Sequence, residues 1–248
     1  MLETRDLCKR YGALQVTDSL NLKVAQGELR ALIGPNGAGK TTLLAQLAGE
    51  LASSSGCIFL DGVDVTSDSV SRRCRRGIAR TYQLTSLLKS FSTIDNVRVA
   101  VQGVNGHSFQ FFRPMRLERE LTDRAIKALD SVGLLSRCDV VADELGYGEQ
   151  RQLEIAMALA TRPRLLLLDE PTAGMGSEDS ARILELIRGL KGTMTIILVE
   201  HDMNAVFGLA DRISVLAQGR EIACGSVDEV RASALVREHY LGEEHPHA

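Results

Sequence analysis

Apolar positions along the chain fall into two rhythms, and their order predicts the layout. Leu20–Val24 alternates apolar and polar residues, Gln26-Gly27 breaks the run, and Leu29–Ile33 leads straight into a glycine-rich stretch. These read as short strands separated by turns. After Lys40, the residues Leu43, Leu44, Leu47 and Ala48 recur at helical spacing, so the glycine-rich stretch opens a helix. Cys57–Leu60 followed by Asp61-Gly62 predicts a hairpin. From about Leu84 to Leu159 the rhythm turns helical, with apolar residues three and four apart over Thr122–Val132 and Glu149–Ala160. Beyond Leu165 the two rhythms alternate. Strands are expected over Leu165–Leu168, Thr195–Val199 and Ile213–Leu216, and helices over Ser180–Leu190 and Met203–Ala210. That alternation predicts an α/β chain, a mostly parallel sheet flanked by helices. No internal repeat, heptad run or low-complexity segment interrupts it.

Bulk properties narrow the class further. At 248 residues the chain is long enough for one large domain, or one domain carrying an insertion. A hydrophobic content of 44% supports a sizeable core, and a net charge of −3 argues against general nucleic-acid binding. The five cysteines (Cys8, Cys57, Cys74, Cys138, Cys224) are scattered. They are expected as buried small hydrophobes in a reducing compartment, not as disulfides or a zinc site. The apolar runs Leu165–Leu168 and Met194–Val199 are strand-length, well short of the roughly 20 residues a bilayer span takes. The opening Met1-Leu-Glu-Thr-Arg-Asp6 lacks a signal peptide's apolar core. A cytoplasmic chain is expected, with any membrane role arising through partners.

The candidate chemistry begins with Gly34, Pro35, Asn36, Gly37, Ala38, Gly39, Lys40, Thr41 and Thr42. Glycines at Gly34 and Gly39 with Lys40-Thr41 behind them let backbone N–H groups converge on phosphate oxygens. The helix that follows points its positive dipole end at the same oxygens. Lys40 would reach the β- and γ-phosphates of ATP, and the Thr41 hydroxyl would ligate Mg²⁺. Downstream, Leu165–Leu168 ends in Asp169-Glu170, and carboxylates at the C-terminal end of such a strand sit where ligands bind. Asp169 would hold Mg²⁺, and Glu170 would orient the attacking water, because phosphoryl transfer relies on positioning and electrostatics.

With a second glycine-rich turn, Leu145-Gly146-Tyr147-Gly148-Glu149-Gln150, lying between these motifs, the chain resembles the nucleotide-binding subunit of an ATP-binding-cassette (ABC) transporter. The resemblance runs from Tyr11 to about Leu241. It implies a phosphate-loop NTPase core with a mostly parallel sheet, an antiparallel β portion and a helical subdomain inserted at 84–160 of a single 1–248 domain. It further implies that Tyr11 stacks on adenine and that Gln83 contacts Mg²⁺ or the water. His201, in Val199-Glu200-His201-Asp202, would contact the γ-phosphate as the switch histidine. Two cassettes of the family close head-to-tail over two ATPs. The turn Gly146, Tyr147, Gly148 and Glu149 would therefore act on the partner's ATP, through a helix N-terminus.

Two positions depart from the family pattern. Gly146 stands where serine is usual, and Gly176 where a polar residue, often aspartate, is usual. Glycine keeps the backbone donor and loses the side-chain hydrogen bond. Such a bond to a charged group contributes about 1.5–3 kcal/mol, about tenfold or more in an equilibrium. The chain's own Lys40, Thr41, Asp169, Glu170 and His201 are intact, so an asymmetric pair of ATP sites is expected. The bland reading, that backbone donors suffice, stands beside it. Arg72, Arg73, Arg75, Arg76 and Arg80 form a dense basic run read as a solvated helix face, with an anionic lipid or acidic partner as the sharper reading. Phe109, Phe111 and Phe112 would pack on a membrane subunit or form a small local core.

Finer details resemble the ATPases of branched-chain amino-acid importers. These are Gly77–Gln83, Tyr147–Ile155, Glu200-His201-Asp202-Met203 and the ending His239-Tyr-Leu-Gly-Glu243. That kinship implies two transmembrane permease subunits, a second ABC ATPase in a hetero- or homodimer, an indirect solute-binding protein and no nucleic acid. It places the chain at the inner face of the plasma membrane, serving branched-chain amino acids or related solutes such as urea and amides. A related cassette that extracts lipopolysaccharide is the alternative. A ribosomal or DNA-repair cassette would need a second cassette or a long coiled coil, neither of which the sequence has. A plain phosphate-loop kinase is disfavoured by the second glycine turn and His201.

Overall fold

A computed structural model describes residues 1–81, 87–105 and 119–233, with Asn105 described by its backbone alone. Along the chain come β1 (Leu2–Tyr11), β2 (Leu14–Leu20), β3 (Lys23–Val24), β4 (Leu29–Ile33) and α1 (Lys40–Ala48). Next are β5 (Ser55–Leu60), β6 (Val63–Asp64), α2 (Val70–Arg75), β7 (Ile78–Arg80), α3 (Thr93–Asn105) and α4 (Arg119–Ser131). Then follow α5 (Tyr147–Ala160), β8 (Leu165–Asp169), α6 (Ser177–Leu190) and β9 (Thr195–Val199). The last are α7 (Met203–Leu209), β10 (Arg212–Ala217), β11 (Arg220–Gly225) and α8 (Val227–Ala232). Contacts divide the chain into two compact units, 1–70 with 190–248, and 71–189.

In the first unit β4 runs parallel to β10 on one side and to β9 on the other, and β11 adds antiparallel to β10. Every residue of β4 and β9 is buried, which is why both read as continuous apolar runs. Arg30 survives inside β4 because its guanidinium is saturated. It pairs with Glu28 at 2.6 Å and donates to Ser214 Oγ at 2.8 Å and to the Lys23 carbonyl at 2.9 Å. A second sheet is antiparallel, in the order β2-β1-β5-β6, with β3 also pairing β1. The expected hairpin is there: Leu60 pairs Val63, and Asp61 and Gly62 take φ of 49° and 77°, a two-residue turn. The expected single strand Leu20–Val24 is not. β2 stops at Leu20 and β3 starts at Lys23, because Asn21 turns its side chain to Asp6 and Leu22 uses its carbonyl on the Thr4 N–H.

The second unit holds β7 parallel to β8, with α3, α4 and α5 packed against one another. Arg124 of α4 is buried and donates to the Ala160 carbonyl from Nη2 at 2.6 Å, so a cation closes the C-terminal end of α5. Two expectations need correcting. Only Cys8 is buried; Cys57, Cys74 and Cys138 are half-buried, and Cys224 is exposed on the outermost strand β11. The arginine run is not one solvated face either. Arg72, Arg75 and Arg76 are exposed, whereas Arg73 is buried and Arg80 is half-buried with its side chain turned inward, 8% exposed. Among the described residues no helix is long and apolar enough to cross a membrane.

Candidate functional site

The phosphate loop is shaped by close backbone packing within the first unit. β4 ends at Ile33, and Gly34 follows at φ 150°; a Cβ there would lie 2.1 Å from the Leu216 carbonyl oxygen. Gly39, at φ 97°, caps α1, and a Cβ there would lie 2.5 Å from the Val16 carbonyl oxygen. The turn between β10 and β11 grips the loop from outside. Gly219 donates its N–H to Ala38 at 3.1 Å, and its carbonyl accepts from Asp18 at 2.9 Å. Arg220 pairs with Asp18 at 2.5 Å and fastens the same turn to β2. Nothing in the sequence singled out Asp18, Gly219 or Arg220.

Pro35, Asn36, Gly37 and Thr41 are exposed, Thr42 is half-buried, and Lys40 is buried. The Lys40 ammonium folds back on its own loop, donating to Gly34 O at 2.6 Å and Pro35 O at 3.1 Å. Those carbonyls hold the cation where a phosphate group would compete for it. Leu32 of β4 pairs Val199 of β9, so the loop after β4 and His201 after β9 leave the C-terminal ends of neighbouring parallel strands. That is the position at which open α/β sheets take ligands. His201 is exposed, and Asp202 behind it caps α7 through the N–H groups of Asn204 and Ala205 at 2.8 and 3.3 Å. Tyr11 ends β1 with 53% exposure, and Lys9 Nζ lies 5.0 Å from its ring centroid. An exposed ring is free to stack.

The second unit carries the acids and the other glycine turn. Asp169 ends β8 and is 1% exposed. Its Oδ2 accepts from Arg80 Nη2 at 2.8 Å, across the parallel pair β7 and β8. Glu170 follows at φ 48°, a left-handed backbone that costs about 1–3 kcal/mol for a residue with a Cβ and clusters at functional positions. Its carbonyl accepts from Ala173 N at 3.1 Å and starts the turn that leads to α6. Around α5, Glu149 reaches back to accept from Gly146 N at 3.0 Å, half of a capping box. Arg137 holds the same carboxylate at 3.1 Å. Tyr147 is exposed, yet its hydroxyl donates to the Ala173 carbonyl at 3.1 Å, which ties the glycine turn to the segment after Glu170. Gly148 is buried against Asp179 of α6. Gln83, the Phe109–Phe112 cluster and His239–Glu243 lie outside the described residues.

For Mg²⁺ the second unit offers the buried Asp169 carboxylate, and the first unit the Thr41 hydroxyl. Among the described residues no three or more His, Cys, Asp or Glu side chains converge as a cage. A single buried carboxylate such as Asp169 suits Mg²⁺, which keeps its waters and is held by one or two carboxylates together with substrate phosphates.

Comparison with known proteins identifies the family and the fold. A family model described as ABC transporter matches residues 17–173. A second, described as branched-chain amino acid ATP-binding cassette transporter, matches residues 220–246. The chain is 37% identical over 250 residues to the high-affinity branched-chain amino acid transport ATP-binding protein BraF of Pseudomonas aeruginosa, covering 98% of each chain. It is 36% identical to the high-affinity branched-chain amino acid transport ATP-binding protein LivG of Escherichia coli (strain K12), again over 98% of each. Among solved structures, a nucleotide-free ATP-binding cassette from an ABC transporter superposes with a TM-score of 0.87 at 28% identity, covering 98% of this chain and 99% of that one. The chain is a member of the ABC transporter family, with the fold of its ATP-binding cassettes.

Proposed function

We propose that the chain is the ATP-hydrolysing subunit of a membrane importer for branched-chain amino acids or closely related solutes. The solute class is supported by the match at residues 220–246 together with two relatives of that name aligned over nearly their whole length. Hydrolysis is supported above all by Glu170, held at φ 48° directly behind the buried Asp169. Gly34, Pro35, Asn36, Gly37, Ala38, Gly39, Thr41 and Thr42 cradle the triphosphate, and Tyr11 stacks on adenine. Lys40 exchanges the Gly34 and Pro35 carbonyls for the β- and γ-phosphates. Asp169, Thr41 and Gln83 hold Mg²⁺, which when bound neutralises charge on the β- and γ-oxygens. Glu170 orients the attacking water, and His201 steadies the γ-phosphate.

Gly146, Tyr147, Gly148 and Glu149 serve the nucleotide of a second ATPase subunit, and residues 84–160 form the helical part that faces the permeases. Two permeases then place the chain at the inner face of the plasma membrane, with a solute-binding protein acting on them from outside.

The test is Glu170→Gln in the complex assembled with permease and ATPase partners. Turnover is expected to fall about hundredfold or more, the scale of lost acid–base positioning, while ATP binding is retained. Turnover that ignores Glu170 would overturn the assignment.

A further inference from the structure

Asp169 is a carboxylate at 1% exposure, and it is not waiting alone for its metal. Arg80 Nη2 sits 2.8 Å from its Oδ2, and the arginine side chain is itself 8% exposed. A buried carboxylate is tolerated only with a compensating charge or several hydrogen bonds. The structure assigns Arg80 the role of resident counter-ion at Asp169, a guanidinium that faces the metal carboxylate and holds it oriented until Mg²⁺ arrives with the nucleotide. This inference rests on the reading of Asp169 as the metal carboxylate.

Position and chemistry both support the role. Arg80 is the last residue of β7 and pairs in register with Leu167 of β8, two residues before Asp169, so the strands carry both charged groups to one end. Thr81 extends the pairing, donating its N–H to Leu167 O at 3.0 Å. A guanidinium keeps its charge at any working pH, so a positive charge faces the carboxylate throughout. Two cations then compete for one carboxylate. Mg²⁺ displaces Arg80 or binds beside it against repulsion, and in either case its affinity is lowered by the arginine. The consequence is selectivity in time: free Mg²⁺ is refused, whereas Mg²⁺ accompanied by phosphate oxygens has enough ligands to enter.

The experiment uses Mn²⁺ as a paramagnetic substitute and reads its affinity by electron paramagnetic resonance, with and without a non-hydrolysable ATP analogue. Arg80→Gln is expected to tighten Mn²⁺ binding tenfold or more, since a full charge within about 4 Å acts on that scale even when partly screened. The same variant is expected to melt lower than wild type without metal and to regain most of the loss when Mn²⁺ and analogue are added. Arg80→Lys keeps the charge and is expected to bind Mn²⁺ within about threefold of wild type. Unchanged or weaker Mn²⁺ binding in Arg80→Gln overturns the proposal, as does equal tightening in Arg80→Lys. Should Arg80→Gln fail to fold, the lysine variant decides, because tightening there would show that charge is not what holds the metal off. Asp169→Asn separates the two readings. If it leaves Mn²⁺ affinity untouched, the metal assignment itself falls; if it weakens binding and Arg80→Gln changes nothing, only the counter-ion role falls.

Discussion

The turn that precedes α1 and the turn that precedes α5 are both rich in glycine and both open a helix, yet glycine serves different ends in them. In the phosphate loop it is imposed by the surrounding backbone. Gly34 and Gly39 have positive φ, and a Cβ on either would sit within 2.1 and 2.5 Å of a main-chain carbonyl oxygen. No rotamer change relieves a clash with main chain. In the turn before α5 the pressure is uneven. A Cβ on Gly148 would meet the Asp179 carboxylate at 2.6 Å, a side chain that can swing aside. A Cβ on Gly146 would find nothing nearer than Glu149 Oε2 at 3.8 Å, and one on Gly176, which stands before α6 rather than α5, would find nothing within 4 Å. Gly146 has an ordinary φ of −62°. The letter is the same throughout; the physical demand runs from absolute to nil. A glycine motif is therefore informative only once the neighbours of each glycine are known.

The sharpest way to break that comparison is Gly34→Ala. Overpacking against main chain plus a disfavoured φ predicts a loss of about 3 kcal/mol or more in unfolding free energy, with nucleotide binding abolished. Urea denaturation and binding of a fluorescent ATP analogue would check both. A variant that folds and binds as wild type would mean the loop is far softer than its packing implies.

Gly148→Ala should cost less, about 1–2 kcal/mol, because its obstacle is a mobile carboxylate. Asp179 is partly exposed, and among the described residues its one ion pair is with Arg182 at 3.6 Å. The same alanine in an Asp179→Ala background is expected to be neutral or slightly stabilising, since alanine is the better helix former. An equal cost in both backgrounds, read by the same urea series, would show that the glycine answers to something other than Asp179.

Legibility in the sequence followed the same division between local and distant causes. β4, β8 and β9 are buried at every residue, so their apolar runs were plain, and the three segments that follow them leave strand ends within one residue of the expected ones. β1 was missed: its burial does not alternate, its pairing is interrupted between Leu7 and Arg10, and Asp6 adopts φ 45°. An irregular strand bearing five charged residues carries no periodic signal. β7 is only three residues long and was lost inside an arginine run that looked like one solvated face. Within that run Arg80 turned inward to a carboxylate 89 residues away, which no local pattern announces. Asp18, Gly219 and Arg220 shape the phosphate loop from remote strands and were invisible for the same reason. Short-range chemistry was readable; the groups that hold it in place were not.

The smallest structural change carries the most pointed functional question. Gly146→Ser adds a hydroxyl at the N-cap of α5, where Glu149 already bonds the Gly146 N–H at 3.0 Å. Serine would complete the capping box by accepting from the Glu149 N–H, and the gain over glycine at an N-cap is only a few tenths of a kcal/mol. The surrounding space admits it without movement. Stability is therefore expected to rise slightly or stay level, which removes folding as an explanation for any change in turnover. If this turn faces the nucleotide of a second subunit, the hydroxyl adds a hydrogen bond to a charged phosphate, about 1.5–3 kcal/mol. ATP hydrolysis by the assembled complex is then expected to rise about tenfold, with the increase confined to the partner's site and abolished by disabling that site's own phosphate loop. Unchanged turnover in a slightly more stable protein would mean that the backbone N–H groups at the start of α5 already suffice, and that the two ATP sites are not made unequal by this glycine.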